Sequence, residues 1–249
     1  MSWPPAAPFV ITVSVGDDAR GTADYALELP AIRELGLLEL DPRVTFLVGE
    51  NGSGKSTLVE AIAVASRLNP EGGGARTPQT AFSTRHSHSY LHEHLVLERS
   101  ELAPLNAFFL RAESVYNLAT AVEGVPMEDV YERPLHEQSH GESFLDIALN
   151  RLGPRGFYVL DEPEAALSVA GQLALMARMH ELVQAHSQFV VATHSPILLG
   201  FPEARIYELG EWGIRRIDWQ EAPQVELIRS FLEDPQRFLH HLFVEDGGA

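Results

Sequence analysis

The chain has 249 residues, 45% hydrophobic and 21% charged, an ordinary globular make-up long enough for a large α/β domain with a substantial core. It has no Cys, which excludes disulfides and thiolate metal sites and fits a reducing compartment. A formal charge of −17 opposes strong stand-alone nucleic-acid binding, leaving only a local basic patch as a route to DNA. No apolar run is long enough to span a bilayer, and Met1-Ser2-Trp3-Pro4-Pro5 lacks the regions of a signal peptide. A cytoplasmic protein without membrane insertion is therefore expected.

There is no internal repeat and no heptad array. Residues 1–8 are Pro/Ala-rich and read as a loose tail. Residues 9–15 read as a strand and 17–24 as a polar turn, while 25–40 mix apolar alternation with Pro30 and leave their state open. The β-branched and aromatic run 44–48 reads as a buried strand, and Leu58, Ile62 and Ala65 continue at helical spacing after it. Asn69-Pro70-Glu71-Gly72-Gly73-Gly74 breaks that helix and opens a Gly/Ser/Thr/His-rich stretch to about residue 88. Strands are expected at 91–99 and 108–113, a helix at 143–151, a buried strand at 156–160 and an amphipathic helix at 168–186. A second buried strand follows at 188–193, then a two-strand unit at 205–209 and 214–219, then a helix from about Gln224. Strands alternating with helices point to an α/β fold with a mainly parallel sheet, here a single domain over 1–249.

Between the strand at 44–48 and its helix lie Gly49, Glu50, Asn51, Gly52, Ser53, Gly54, Lys55, Ser56 and Thr57. They satisfy G-x-x-x-x-G-K-[ST], the phosphate-binding P-loop, in its strand–loop–helix context. Successive backbone N–H groups and a helix N-terminus then point at a polyphosphate. Lys55 would supply a point charge on the β- and γ-phosphates, and Ser56 a hydroxyl on Mg²⁺.

The strand at 156–160 runs into Asp161 and Glu162. Beside a P-loop, the first carboxylate can hold Mg²⁺ with Ser56, and the second can polarise an attacking water. Ser139 and Glu142 form S-x-x-E, a capping box before Phe144, Leu145 and Ile147. A capped helix start containing Gly141 also reads as an anion site, and the two readings are compatible. Thr193-His194-Ser195-Pro196 follows a buried strand and opens a helix, with Ser195 as cap and Pro196 first inside. His194 could donate to a γ-phosphate oxygen, although a strand-end His alone is more often structural.

In this order the motifs resemble the ABC-type ATPase superfamily. They are most similar to bacterial single-domain AAA family ATPases related to SMC and RecF-like heads. The resemblance implies Mg²⁺-dependent ATP hydrolysis, with Glu162 and Lys55 catalytic, Asp161 and Ser56 on the metal, and His194 as the switch histidine. It makes Glu164-Ala165-Ala166-Leu167-Ser168 a D-loop crossing a dimer interface. Ser139, Gly141 and Glu142 would contact the γ-phosphate held by the opposite subunit, so a homodimer sandwiching two ATPs is expected. The implied fold is a P-loop NTPase of ABC type, a mainly parallel core sheet flanked by helices with an antiparallel β portion and a small helical signature subdomain, the signature lobe spanning about 69–150. The usual Leu-Ser-Gly-Gly-Gln is here Gln138-Ser139-His140-Gly141-Glu142, which brings an imidazole and a carboxylate into the contact. No glutamine is placed for a Q-loop, Gln79 lying among Pro and Thr, and no aromatic is placed to stack on a base. Between Lys55 and Ser139 there is no long coiled coil, so the chain reads as a head without an arm.

His86, His88, His92 and His94 form a further cluster. Alternate histidines on a strand share a face, but no Cys or carboxylate set completes a metal site, so a polar surface is expected. The resemblance points to a DNA maintenance or defence machine with an effector protein the sequence does not name. The alternatives are a membrane transporter's nucleotide-binding subunit and a low-turnover ATP-dependent switch. Intact Lys55, Asp161 and Glu162 weigh against the switch, and the signature against a ring motor.

Overall fold

The computed structural model describes residues 7–19, 22, 24–74, 89–114 and 139–243. The expectations for residues 1–6, Gln79, His86, His88 and Gln138 lie outside them. Within the described residues the strands are β1 (Val10–Val15), β2 (Leu38–Glu39), β3 (Val44–Gly49), β4 (Leu95–Arg99), β5 (Asn106–Arg111), β6 (Gly156–Asp161), β7 (Gln188–Ala192), β8 (Arg205–Gly210) and β9 (Gly213–Ile217). The helices are α1 (Tyr25–Glu28), α2 (Pro30–Arg33), α3 (Lys55–Ala65), α4 (Leu91–His94), α5 (His140–Arg151), α6 (Val169–Gln184), α7 (Pro223–Glu233) and α8 (Pro235–Phe243).

Six strands form one sheet in the order β5-β6-β7-β3-β8-β9. Its first five strands are parallel, and β9 returns antiparallel to β8. The remaining three make an antiparallel sheet, β2-β1-β4. The mainly parallel sheet is as expected, and the tail strands pair with each other as β8 and β9, joined to the large sheet because β8 pairs with residues 45–49 of β3.

Both faces of the large sheet are covered, which is why its strands read as continuous apolar runs. Phe46 and Val48, Tyr158 and Leu160, and Phe189 and Val191 join Phe144, Ile147, Leu175 and Met179 of α5 and α6 in one core. The alternate residues Leu47, Phe157, Val159 and Val190 face a second core with Leu58, Val59 and Ile62 of α3 and Val10 and Val13 of β1. The period-2 alternation thus divides each strand between two cores.

Local chemistry resolves what periodicity left open. Residues 25–33 fold as two helical turns because the Asp24 side chain accepts from Ala26 N at 3.0 Å and Pro30 occupies the first turn of α2. Residues 91–94 are helical rather than extended, with only 95–99 pairing as a strand. His92 and His94, two apart on a helical turn, therefore do not share a face. After Ser195 the chain makes a 3₁₀ turn, Leu198–Gly200, in place of the expected helix. The cap of that turn is Ile197 rather than Ser195, whose hydroxyl accepts from Ile197 N and Leu198 N just ahead of it.

A buried glutamine stitches the two sheets together. Gln188 Oε1 accepts from Phe9 N and Val10 N at 2.8 and 3.0 Å, and its Nε2 donates to Val10 O and Asp41 O at 2.8 and 3.0 Å. Gln188→Leu would leave those four backbone groups buried without partners, each costing about 1–3 kcal/mol. We expect denaturant unfolding to show a loss of at least about 3 kcal/mol; a loss below about 1 kcal/mol would mean the stitch is replaceable.

Candidate nucleotide-binding site

The site lies where β3, β6 and β7 end, because their parallel register aligns Leu47, Ala192 and Asp161 in one row. Gly49 closes β3 at φ +151°, and a Cβ there would strike the Leu209 carbonyl and come within 2.8 Å of Ser53 Oγ. Gly54, at φ +95°, starts α3 without any side-chain cap. The first N–H groups of α3 are therefore left to the pocket, together with the positive end of the helix dipole.

Lys55 is 4% exposed, and its ammonium donates to the carbonyls of Gly49 and Glu50, both at 2.9 Å. Burial lowers its pKa, while Glu162, Asp161 and Glu164 raise it. Asn51, Gly52, Gly54, Lys55, Ser56 and Thr57 line one pocket with Tyr25, Leu29 and Glu162. Ser53 turns its hydroxyl inward, buried and without a hydrogen-bond partner.

Asp161 is buried at the end of β6, where the Ser56 side chain favours its charged form. Arg111, paired with it in register from β5, sets its Nε 3.4 Å from Asp161 Oδ2 and its Nη1 2.6 Å from Glu60. Burial nonetheless pushes the Asp161 carboxyl up to about 6, outweighing Arg111 and Ser56, with Glu162 and Glu113 pushing the same way. Its Oδ1 is buried without a hydrogen-bond partner. An under-compensated carboxylate beside a serine hydroxyl is an oxygen-only donor pair suited to a hard divalent cation such as Mg²⁺.

Glu162 adopts φ +47°, ψ +50°, a left-handed conformation costing a non-glycine residue about 1–2 kcal/mol. That bend turns its half-exposed side chain into the pocket, 3.7 Å from His194 Nε2. Burial, then Lys55, lower the pKa of His194, with Glu162 and Glu164 opposing, so its imidazole is neutral at neutral pH. His194 Nε2 is buried and has no hydrogen-bond partner.

The expected capping box forms at α5. Ser139 N and Oγ donate to Glu142 Oε2 at 2.8 and 2.7 Å, and Glu142 N donates to Ser139 Oγ at 3.4 Å. Ser139, Gly141 and Glu142 do not line the P-loop pocket. Gly141 instead abuts the segment after β6, where an added Cβ would lie 2.8 Å from the Ala166 carbonyl.

Lys55, Ser56, Asp161, Glu162 and His194 thus come together, and the signature residues stand apart. Sequence reasoning missed three neighbours. Tyr25 lay in the ambiguous segment 25–40, Arg111 acquires meaning only through strand register, and Glu164 was assigned to an interface loop rather than to the His194 backbone. Among the described residues no group of three or more His, Asp or Glu side chains could hold a metal.

Fold and pocket together define a P-loop nucleotide-binding protein of mainly parallel α/β type. The ABC transporter family model matches residues 41–165, and the chain belongs to this family of ATP-binding proteins, which hydrolyse ATP. Similar proteins include the cytochrome c biogenesis ATP-binding export protein CcmA of Rhodopseudomonas palustris, 31% identical over 64% of this chain and 82% of that protein. The energy-coupling factor transporter ATP-binding protein EcfA2 of Leuconostoc mesenteroides is 24% identical over 69% of this chain and 67% of its own length. Among solved structures, the SMC head domain from Thermotoga maritima covers 84% of this chain and 98% of its own at 14% identity and a TM-score of 0.46. No helix among the described residues is long and apolar enough to cross a membrane.

The raised Asp161 pKa sets a pH dependence. Between about pH 4 and 6 the native carboxyl holds more protons than the unfolded one, so its contribution falls as pH rises through that window. Asp161→Asn does not titrate there. Without nucleotide or divalent cation, its stability relative to the natural protein should rise between about pH 4 and 7 by up to about 3 kcal/mol. Denaturant unfolding at the two pH values checks this, and parallel behaviour of the two proteins would contradict it.

Proposed function

We propose that the whole chain is one ATPase domain that binds Mg²⁺ and ATP at the P-loop pocket and completes the site by pairing with a second copy. The carrying observation is that Lys55, Ser56 and Glu162 line one pocket, with Asp161 beside Ser56 and His194 beside Glu162, while the signature residues do not line it. In this reading the backbone from Gly49 to Thr57 cradles the phosphates, and Lys55 exchanges its two carbonyl bonds for phosphate oxygens. Ser56 and Asp161 would hold Mg²⁺, which when bound neutralises phosphate charge. Glu162 orients and polarises the attacking water, and the neutral His194 offers an N–H donor at the γ-phosphate. Tyr25, exposed at the pocket's lip, gives the base an aromatic face. Ser139, Gly141 and Glu142 at the start of α5 would approach the γ-phosphate bound by the other copy.

For the work done, we favour a cytoplasmic SMC-like head acting on an effector in DNA maintenance or defence, the effector rather than the −17 chain contacting DNA. The names of the relatives favour a second reading, an ATP-binding subunit docked on a membrane component. Turnover measured with and without duplex DNA across a salt series separates them: stimulation that fades with salt supports the first reading. Failure of DNA to act, with recovery of the chain on a membrane protein, supports the second.

Glu162→Gln should bind ATP, lose turnover by about 10²–10⁴-fold and accumulate as a dimer in sedimentation. Normal turnover would remove Glu162 from its role. Lys55→Ala should lose nucleotide affinity. Ser139→Arg should keep nucleotide binding yet stay monomeric, and a sedimentation profile indifferent to ATP in the Glu162→Gln protein would count against the sandwich.

A further inference from the structure

The loop after β7 is held in place by the segment after β6. Backbone pairing between the two strands ends at Asp161 and Ala192, followed by one more bond, Glu162 N to Ala192 O at 3.0 Å. Beyond that point a side chain takes over. Glu164, in the 3₁₀ turn Pro163–Ala165, accepts from the His194 backbone N–H at 2.5 Å and from the Thr193 hydroxyl at 2.7 Å. Thr193 Oγ1 in turn accepts from Ser195 N at 2.9 Å, and Thr193 N donates to Leu47 O of β3 at 3.1 Å.

A second tie runs parallel to the first. Ser195 Oγ donates to Gln172 Oε1 at 2.6 Å, and Gln172 Nε2 donates to Leu167 O at 3.2 Å. Residues 193–195 are thereby gripped by both ends of the segment 164–172. The imidazole itself has no bond at Nε2 to steady it, so its placement follows from the backbone that carries it. Ala166, two residues after Glu164, meets Gly141 of α5 closely enough to forbid a Cβ there. The start of α5 thus presses on the turn that carries Glu164.

From this arrangement we propose that Glu164 is a positioning residue for His194, fixing it through the main chain and linking its position to the start of α5. The proposal rests on the reading of His194 as a phosphate-facing donor, which it deepens. A bidentate carboxylate on two adjacent donors is a stiff joint, because both acceptor oxygens are engaged and the bonds are charge-assisted. Displacing the turn 163–166 then displaces His194, whereas a loop held only by its own turn would stay put.

The first measurement needs no nucleotide. In the natural protein, the His194 amide should show a downfield proton shift and slow hydrogen exchange. In Glu164→Ala it should lose protection by about tenfold or more, while the Thr193 amide, bonded to Leu47, keeps its own. Glu164→Gln, which retains one acceptor of the same length, should recover part of that protection. Unchanged His194 protection in Glu164→Ala, or equal loss at Thr193, would overturn the tie.

The second measurement reads catalysis. Glu164→Ala should lower kcat by about 10- to 100-fold with ATP affinity changed less than about threefold. In a His194→Ala background it should add little further loss. A full multiplicative loss in that background, or unchanged kcat where His194→Ala alone is slow, would refute action through His194. Normal turnover in His194→Ala would instead sink the reading of the histidine, with the amide experiment still judging the tie.

Discussion

Everything at this site depends on parallel register. Once β3, β6 and β7 lie side by side and point the same way, Leu47, Ala192 and Asp161 share a row. The three loops beyond that row have to meet. No side-chain interaction could assemble Lys55, Asp161, Glu162 and His194 from such separated stretches without that frame. The frame is maintained by two apolar cores that clamp each strand from both faces, so slipping one strand by a residue would exchange its two core faces. Gln188 adds a polar lock, with all four of its hydrogen-bonding positions used to join β7, β1 and the turn before β3.

Within that frame the charges are only partly settled. Lys55 satisfies itself on two loop carbonyls, neutral partners that a phosphate can replace at little cost because ionic hydrogen bonds are the stronger kind. Asp161 is different. Arg111 and Ser56 both favour its charged form, yet burial still prevails and leaves one oxygen without a partner. Arg111 divides its guanidinium among Asp161, Glu60 and Glu113, the shortest contact going to Glu60. A divalent cation at Asp161 would supply the compensation that one shared arginine does not. Glu162 and His194 stand 3.7 Å apart, too far for a hydrogen bond. They are placed beside each other rather than consumed by each other.

Chemistry written into consecutive residues was legible in the sequence. The P-loop, the Asp161–Glu162 strand end and the Ser139–Glu142 box each act over a few positions, and each folds as those positions suggest. What escaped was set by distant pairing or by the competition between short elements. Residues 25–33 carry no sustained period, and their helices exist because Asp24 caps one and Pro30 starts the next, which brings Tyr25 to the pocket. Alternation at 91–99 suggested one strand, but it cannot tell where pairing begins, and partners on β1 are available only from Leu95 onward. Arg111 ends its strand like many other arginines until register sets it against Asp161.

The start of α5 has the remaining part to play. Its capping box is closed on itself, with Glu142 taking both the N–H and the hydroxyl of Ser139. An anion arriving from the proposed partner copy would compete with a carboxylate already seated there, so in that proposal binding would require Glu142 to swing away. The Ser139 and Glu142 side chains are exposed, so water and the arriving anion can replace the 2.8 and 2.7 Å bonds that the swing would break. It would also act at the place where Gly141 bears on Ala166, and from Ala166 the chain leads within two residues to the carboxylate that holds the His194 backbone. A phosphate seated on one copy's α5 would thereby bear on the loop carrying that same copy's histidine. The proposed dimer then has a physical reason to fire its two sites in relation to each other rather than independently.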